Sequence, residues 1–170
     1  MEPPHCGDAF YAAPMADTPG SSFAVEGQLC FALHSASRAM TGCYRPLLEA
    51  VGLTYSQYSV MLVLWEHGTV TLGRLGEQLY LDSGTLSPLL KRLEAQGVVT
   101  RRRRPDDERI VEIRLTTMGA ELEAKAQAVQ GRVEEVTGLT ALELATLRDD
   151  LQRLAARLRA AEIEPESAAG

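Results

Sequence analysis

Between Leu72 and Leu115 the chain reads LGRLGEQLYLDSGTLSPLLKRLEAQGVVTRRRRPDDERIVEIRL, and this stretch constrains the fold more than any other. Thr71 is placed to cap a short helix ending near Tyr80. Asp82 or Ser83 is placed to cap a second helix that reaches Gln96, with Pro88 bending it slightly and Gly97 suited to the left-handed turn behind it. Then the period changes. Val111, Ile113 and Leu115 alternate with Glu112 and Arg114, the two-residue repeat of a strand. Val98–Arg103 supplies the antiparallel mate for Ile110–Leu115, and Pro105-Asp106-Asp107 the turn. Two short helices followed by a basic hairpin form the layout of a winged helix-turn-helix, in which one helix enters a DNA major groove.

The flanking sequence predicts more helix. Leu29, Leu33, Ala36 and Met40, with Cys43 or Tyr44, recur every three or four residues over about Ala24 to Tyr44. Pro46 is expected to end or kink that helix, and a short helix follows up to Gly52. Thr54-Tyr55-Ser56-Gln57 fits a capping box that opens a helix through Trp65. Its Val60, Leu62, Val63, Leu64 and Trp65 leave little polar face, which marks it as the central buried helix. Gly119 to about Val136 is helical, and Thr140-Ala141-Leu142-Glu143 is another capping box. Beyond it Leu144, Leu147, Leu151, Leu154 and Leu158 make a heptad-like seam, which needs a partner helix from the first helix, a second chain, or both.

The predicted fold is therefore mainly α with a small β-wing: a winged helix-turn-helix over residues 54–118, with N- and C-terminal dimerisation helices in residues 23–53 and 119–160. Residues 1–22 and 161–170, biased to Pro, Ala, Gly and Ser, are expected to be flexible tails. No apolar run approaches the ~20 residues of a membrane span, and the N-terminus lacks the basic and apolar regions of a secretory signal, so the expectation is a cytoplasmic protein with no membrane partner. Three cysteines (Cys6, Cys30 and Cys43) in a chain of 170 residues do not make a disulfide framework. Cys6 beside His5 is a poor metal site, so neither metal nor cofactor is expected.

A net charge of −6 is unpromising for a DNA binder until it is divided along the chain. Residues 72–114 carry 9 basic and 7 acidic side chains, whereas the segments on either side are both net acidic. Screening over roughly 8–10 Å leaves a local basic patch effective on an acidic protein.

The N-terminal residues of a groove-bound helix meet base edges. In this chain they are Ser83, Thr85 and Ser87, with Lys91 and Arg92 further along. Ser83 and Thr85 also suit simple capping. The hairpin holds Arg101 to Arg104 and then Asp107-Glu108-Arg109. An arginine on a thin tip enters a minor groove ~6 Å wide, and Asp107 is placed to hold Arg109 by a charged fork. The alternative is a solvated charge run.

Asp107-Glu108-Arg109 followed by VEIRLTTMG resembles the wing signature of the MarR family: D-x-R, alternating apolar residues, then L-T-x-x-G. LDSGTLSPLLKRLEAQGVVTR is similar to that family's recognition helix. The resemblance covers roughly residues 26–160 and implies a homodimeric winged-helix regulator, usually a repressor, on a near-palindromic operator of double-stranded DNA. It places Asp82, Ser83, Thr85 and Arg92 toward the major groove and Arg109 toward the minor groove; the residues themselves add Ser87, Lys91, Arg103, Arg104 and Asp107 to the DNA-binding set.

Cys30 lies in the first turns of its helix, where the dipole and unpaired N–H groups favour a thiolate. By itself it also suits a small core hydrophobe. Its setting, LCFALHSASRAM with YRPLLEAVGLTYSQY, resembles the organic-hydroperoxide-sensing branch of MarR. That resemblance implies that Cys30 is the redox sensor and that Tyr44 and Tyr55 bond to it. Along one helix, 14 residues span about 21 Å, so a Tyr44 that bonds Cys30 belongs to the partner subunit. His34 stands where the branch usually has tyrosine; it either helps activate the thiol or fills the interface. Residues 115–170 hold no cysteine, so the chain resembles the one-cysteine type, in which an organic hydroperoxide oxidises the thiol and a small cellular thiol then caps it or it is over-oxidised. A partner-chain Cys43 is the lesser alternative.

The expected function is a dimeric repressor that releases its operator when Cys30 is oxidised. A MarR-type repressor released by a small phenolic or apolar ligand, with Cys30 structural, is the first alternative. A thiol peroxidase is the second; the sequence offers it no further catalytic constellation, and an enzyme is not expected.

Overall fold

The computed structural model describes residues 24–161. The predicted tails, with Cys6 and His5, lie outside the described residues apart from Ala161. The described residues divide into two compact units, with the boundary between Val133 and Glu134. No helix among the described residues is long and apolar enough to cross a membrane.

In the first unit a 3-10 turn, Val25–Gly27, leads into α1, Leu29–Glu49. This helix continues through Pro46, where the sequence predicts an end or a kink. Proline costs the bond to a single carbonyl. Leu48, fully buried in the core, holds the turn beyond it in line. Helix α2, Tyr55–His67, starts at the predicted box: Gln57 N–H donates to Thr54 Oγ1 at 3.4 Å, and Thr54 N–H to Gln57 Oε1 at 2.9 Å. It is the central helix, burying Tyr58, Val60, Met61, Val63 and Leu64, although Leu62 is exposed and Trp65 only half-buried.

A three-residue strand, β1 (Thr69–Thr71), precedes α3 (Leu72–Leu79) and α4 (Ser83–Ala95). The sequence reading did not anticipate β1. The hairpin follows as β2, Val99–Arg103, and β3, Val111–Leu115. The sheet is antiparallel with order β1-β3-β2, and Ile113 of β3 pairs with both Val70 and Arg101. Fully buried Ile113, Leu75, Leu86, Leu90 and Leu93 tie sheet and helix pair into one core with α2.

Helix α5, Thr117–Val136, begins hard against the sheet. A Cβ on Gly119 would lie 2.0 Å from the Val98 carbonyl oxygen, so only glycine permits this approach.

In the second unit, Gly138 at φ 67° turns the chain into α6, Ala141–Ala160. Its predicted capping box is present: Thr140 N–H donates to Glu143 Oε2 at 2.8 Å. These bonds hold the Glu143 carboxyl below its ordinary value. The seam residues Leu147, Leu151 and Leu158 are exposed, and no residue of α6 is buried.

Candidate nucleic-acid interface and thiol sensor

Helix α4 has two unlike faces. Leu86, Leu90 and Leu93 point into the core, while Ser83, Thr85, Ser87, Lys91 and Arg92 are exposed. Asp82 rather than Ser83 is the cap. Its Oδ1 accepts from Thr85 N–H at 2.8 Å and its Oδ2 from the Thr85 hydroxyl at 2.9 Å. The Thr85 backbone bond, then the Thr85 hydroxyl, hold the Asp82 carboxyl below its ordinary value. Ser87 Oγ donates to the Ser83 carbonyl at 2.6 Å. Thr85 and Ser87 thus have fixed orientations, and Lys91 and Arg92 carry no side-chain ion pair or hydrogen bond among the described residues.

Both ends of α4 are held in place. The turn before it depends on Tyr80, the described non-glycine residue with positive φ, at 55°. Gly76 lets that turn close, since a Cβ there would meet the Leu81 carbonyl oxygen at 2.8 Å. Behind the helix, Gln57 Nε2 donates to Gln96 Oε1 at 3.1 Å, and Gln96 Nε2 to the Gly52 carbonyl at 2.9 Å. Gln57 therefore caps α2 and anchors the end of α4 at once.

The wing is joined to α4 by an ion pair that sequence reasoning missed. Arg101 donates to Glu94 Oε2 from Nε at 2.9 Å and from Nη2 at 2.6 Å, and its backbone N–H reaches Oε1 at 3.3 Å. The Arg101 side-chain bonds lower the Glu94 pKa from its ordinary value. The clue was the seven-residue spacing across the Gly97 turn, hidden within a run of four arginines.

The arginines of that run differ in what they touch. Arg104 is committed to Asp106, at 3.0 Å and 2.5 Å, and lies 3.9 Å from Glu112. The Asp106 bond raises its pKa. Arg103 donates to the Glu108 carbonyl at 2.7 Å. The expected fork between Asp107 and the Arg109 guanidinium is absent. Asp107 Oδ1 instead accepts the Arg109 backbone N–H at 3.0 Å, shaping the tip and leaving the exposed guanidinium without a partner among the described residues. Arg102 is exposed and likewise unpaired.

Cys30 is exposed in the first turn of α1, on which Gln28 places no side-chain cap. His34, one turn on, is also exposed. Tyr44 and Tyr55 stand edge to face with ring centroids 5.4 Å apart, so the structure brings these two together. Cys30 is not with them. Helix α1 is continuous, which puts Cys30 about 21 Å from Tyr44 along its axis. Half-buried Cys43 is separated from Cys30 almost as far, well beyond the ~7 Å Cα limit for a disulfide. Two aromatics unassigned from the sequence complete the cluster. Buried Tyr58 lies 5.6 Å from Tyr44 and 6.2 Å from Trp65. Trp65 Nε1–H donates to the Gly119 carbonyl at 2.9 Å. A cavity of about 320 Å³ opens beside them, lined by Tyr58, Leu62, Trp65, Glu66, Glu123 and Gln127 among others. No cluster among the described residues could hold a metal ion.

A capped reading helix stapled to a three-stranded wing defines a winged helix-turn-helix regulator. The model of the MarR family matches residues 53–111. The organic hydroperoxide resistance transcriptional regulator of Bacillus subtilis (strain 168) is 48% identical over 130 residues, 76% of this chain and 88% of that protein. The chain belongs to the MarR family of transcriptional regulators. Among solved structures it is similar to AbfR of Staphylococcus epidermidis. Reduced AbfR bound to DNA superposes with a TM-score of 0.65 at 34% identity, covering 79% of this chain and 93% of that one. Overoxidised AbfR bound to DNA gives 0.65 at 36%, covering 79% and 94%. A disulfide-formed AbfR gives 0.58 at 34%, covering 79% and 90%.

Proposed function

We propose that this chain is a dimeric repressor that holds a near-palindromic operator while Cys30 is reduced and releases it when Cys30 becomes a mixed disulfide. The observation that carries the reading is the pairing of an exposed, fixed reading face on α4 with an exposed Cys30 near the start of a separate helix. Ser83, Thr85, Ser87 and Arg92 meet base edges in the major groove, Lys91 meets phosphate, and Arg109 on the wing tip enters the minor groove. Asp82 orients Thr85, and Asp107 shapes the tip beneath Arg109. Arg103 and Arg104 brace the hairpin and add field rather than direct contacts.

The Cys30 sulfur attacks the distal oxygen of an organic hydroperoxide. The O–O bond breaks, an S–O bond forms, and the alcohol leaves; sulfur is oxidised by two electrons and the peroxide reduced by two. A small cellular thiol then displaces water from the sulfenic acid, giving a mixed disulfide. The Bacillus relative's name supports a hydroperoxide signal. AbfR supports the thiol step, since an overoxidised form is seen on DNA while a disulfide form has also been solved. Tyr44 and Tyr55, from the partner subunit, steady the sulfur, and His34 packs beside it. Residues 23–53 and 119–160 pair the two copies, residues 54–118 read DNA, and the protein works in the cytoplasm.

The test is operator anisotropy at fixed salt, with a stoichiometric organic hydroperoxide plus a small thiol, for wild type and Cys30→Ser. Release by wild type alone is expected, with mass spectrometry naming the adduct. The cavity beside Tyr58 and Trp65 favours a second reading, release by a small apolar ligand, which predicts that Cys30→Ser responds to its inducer as wild type does.

A further inference from the structure

Trp65 is the single tryptophan of the chain. A buried indole needs a partner for its N–H, and a phenylalanine would fill the same space without that demand. Here the donor reaches across 54 residues of sequence to the Gly119 carbonyl. Gly119 is also where three other parts of the reading lobe meet. Its N–H donates to Thr116 Oγ1 at 3.1 Å, and that hydroxyl donates to the Gly97 carbonyl at 2.7 Å. Its Cα rests on the Val98 carbonyl, one residue before β2, and Thr116 N–H closes on the same oxygen at 3.1 Å. On its other side the Trp65 ring packs tilted against Tyr58, and Tyr58 against Tyr44 of α1. An unbroken line of contacts therefore runs from α1, which carries Cys30, to the base of the wing.

We infer that Trp65 is a positioning residue that transmits a displacement of α1 to the wing base, through Tyr44 and Tyr58 on one side and the Gly119 junction on the other. The inference rests on the redox-switch reading above. Helix α1 is one uninterrupted rod from Leu29 to Glu49, so a group added at Cys30 shifts Tyr44 with it. Close-packed side chains respond to such a shift by changing partners rather than deforming smoothly. When Tyr58 follows Tyr44, the indole turns and its bond to Gly119 is lost. The wing base is then no longer held against α2.

Two measurements test this on the full-length protein. The first is operator anisotropy for wild type, Trp65→Phe and Cys30→Ser, each reduced and then treated with an organic hydroperoxide plus a small thiol. Wild type is expected to weaken at least about tenfold on treatment and Trp65→Phe less than about threefold, a ratio a purely structural tryptophan would not change. Equal weakening of the two overturns the inference. The second needs no substitution at Trp65, so it stands even where that variant folds poorly. Intrinsic emission should shift on operator binding and again on oxidation, with Cys30→Ser showing only the first shift. Emission that moves in neither titration overturns the inference. If peroxide leaves wild type on its operator, the sensor reading itself falls. The relay is then judged on the operator titration alone, where an unmoved emission overturns it.

Discussion

Helix α4 buries Leu86, Leu90 and Leu93, is capped by Asp82, and is tied at its far end by Gln57 and Glu94. The first half of α1 exposes Leu29 and Phe31, has no side-chain cap, and buries nothing before Leu48. Both helices carry apolar residues at helical spacing, but α4 buries its stripe along its length, whereas α1 meets the core only toward its C-terminal end. The reading helix is completed by its own core, whereas the first half of α1 presents exposed apolar residues, the surface that the proposed dimer would cover. Cys30 lies on that exposed stretch.

The largest break in this contrast is expected inside the finished lobe. Gly119→Ala forces a Cβ onto the Val98 carbonyl and should cost about 3 kcal/mol or abolish folding, read by urea denaturation. Leu90→Ala, which empties a fully buried site, should cost about 3 kcal/mol. Phe31→Ala should change the stability of the chain by less than about 0.5 kcal/mol, yet raise the dimer dissociation constant in sedimentation experiments. Equal effects of Phe31→Ala and Leu90→Ala on unfolding would erase the distinction.

A smaller effect separates the wing arginines. Arg109→Ala should weaken operator binding about tenfold and reduce the slope of log affinity against log salt by about 1, whereas Arg104→Ala should leave that slope nearly unchanged because Asp106 already neutralises it. The smallest concerns pH. Bonding to Arg101 depresses the Glu94 pKa below its ordinary value of 4.5, so this contribution is full above that value and is lost as pH falls through the depressed one. Wild type should therefore lose stability in that acid window, and Glu94→Gln should lose less, measured by thermal midpoints at pH 7 and pH 3.

Much of the lobe could be read from the sequence because its signals are local. The boxes at Thr54 and Thr140, the cap at Asp82 and the alternation through Ile113 each depend on residues within a few positions of one another. The misses depend on distant partners. Strand β1 is three residues long with a single buried side chain, too short to show a period, and exists because β3 offers an edge. Pro46 failed to break α1 because Leu48 is buried, and burial cannot be read from a proline. At the site, the thiol and the reading helix were legible as residue types in position. The partners of Arg101, Arg104 and Trp65 were not, since each is chosen in three dimensions from several nearby candidates.

The pairing of Arg101 with Glu94 and of Arg104 with Asp106 also bears on how the protein searches a chromosome. Two of the four arginines in the run are neutralised at home, so fewer cations are left to displace counterions from arbitrary duplex than the run of four suggests. Such a reader spends little time on wrong sequences, and the rest of the genome is a weak competitor for it.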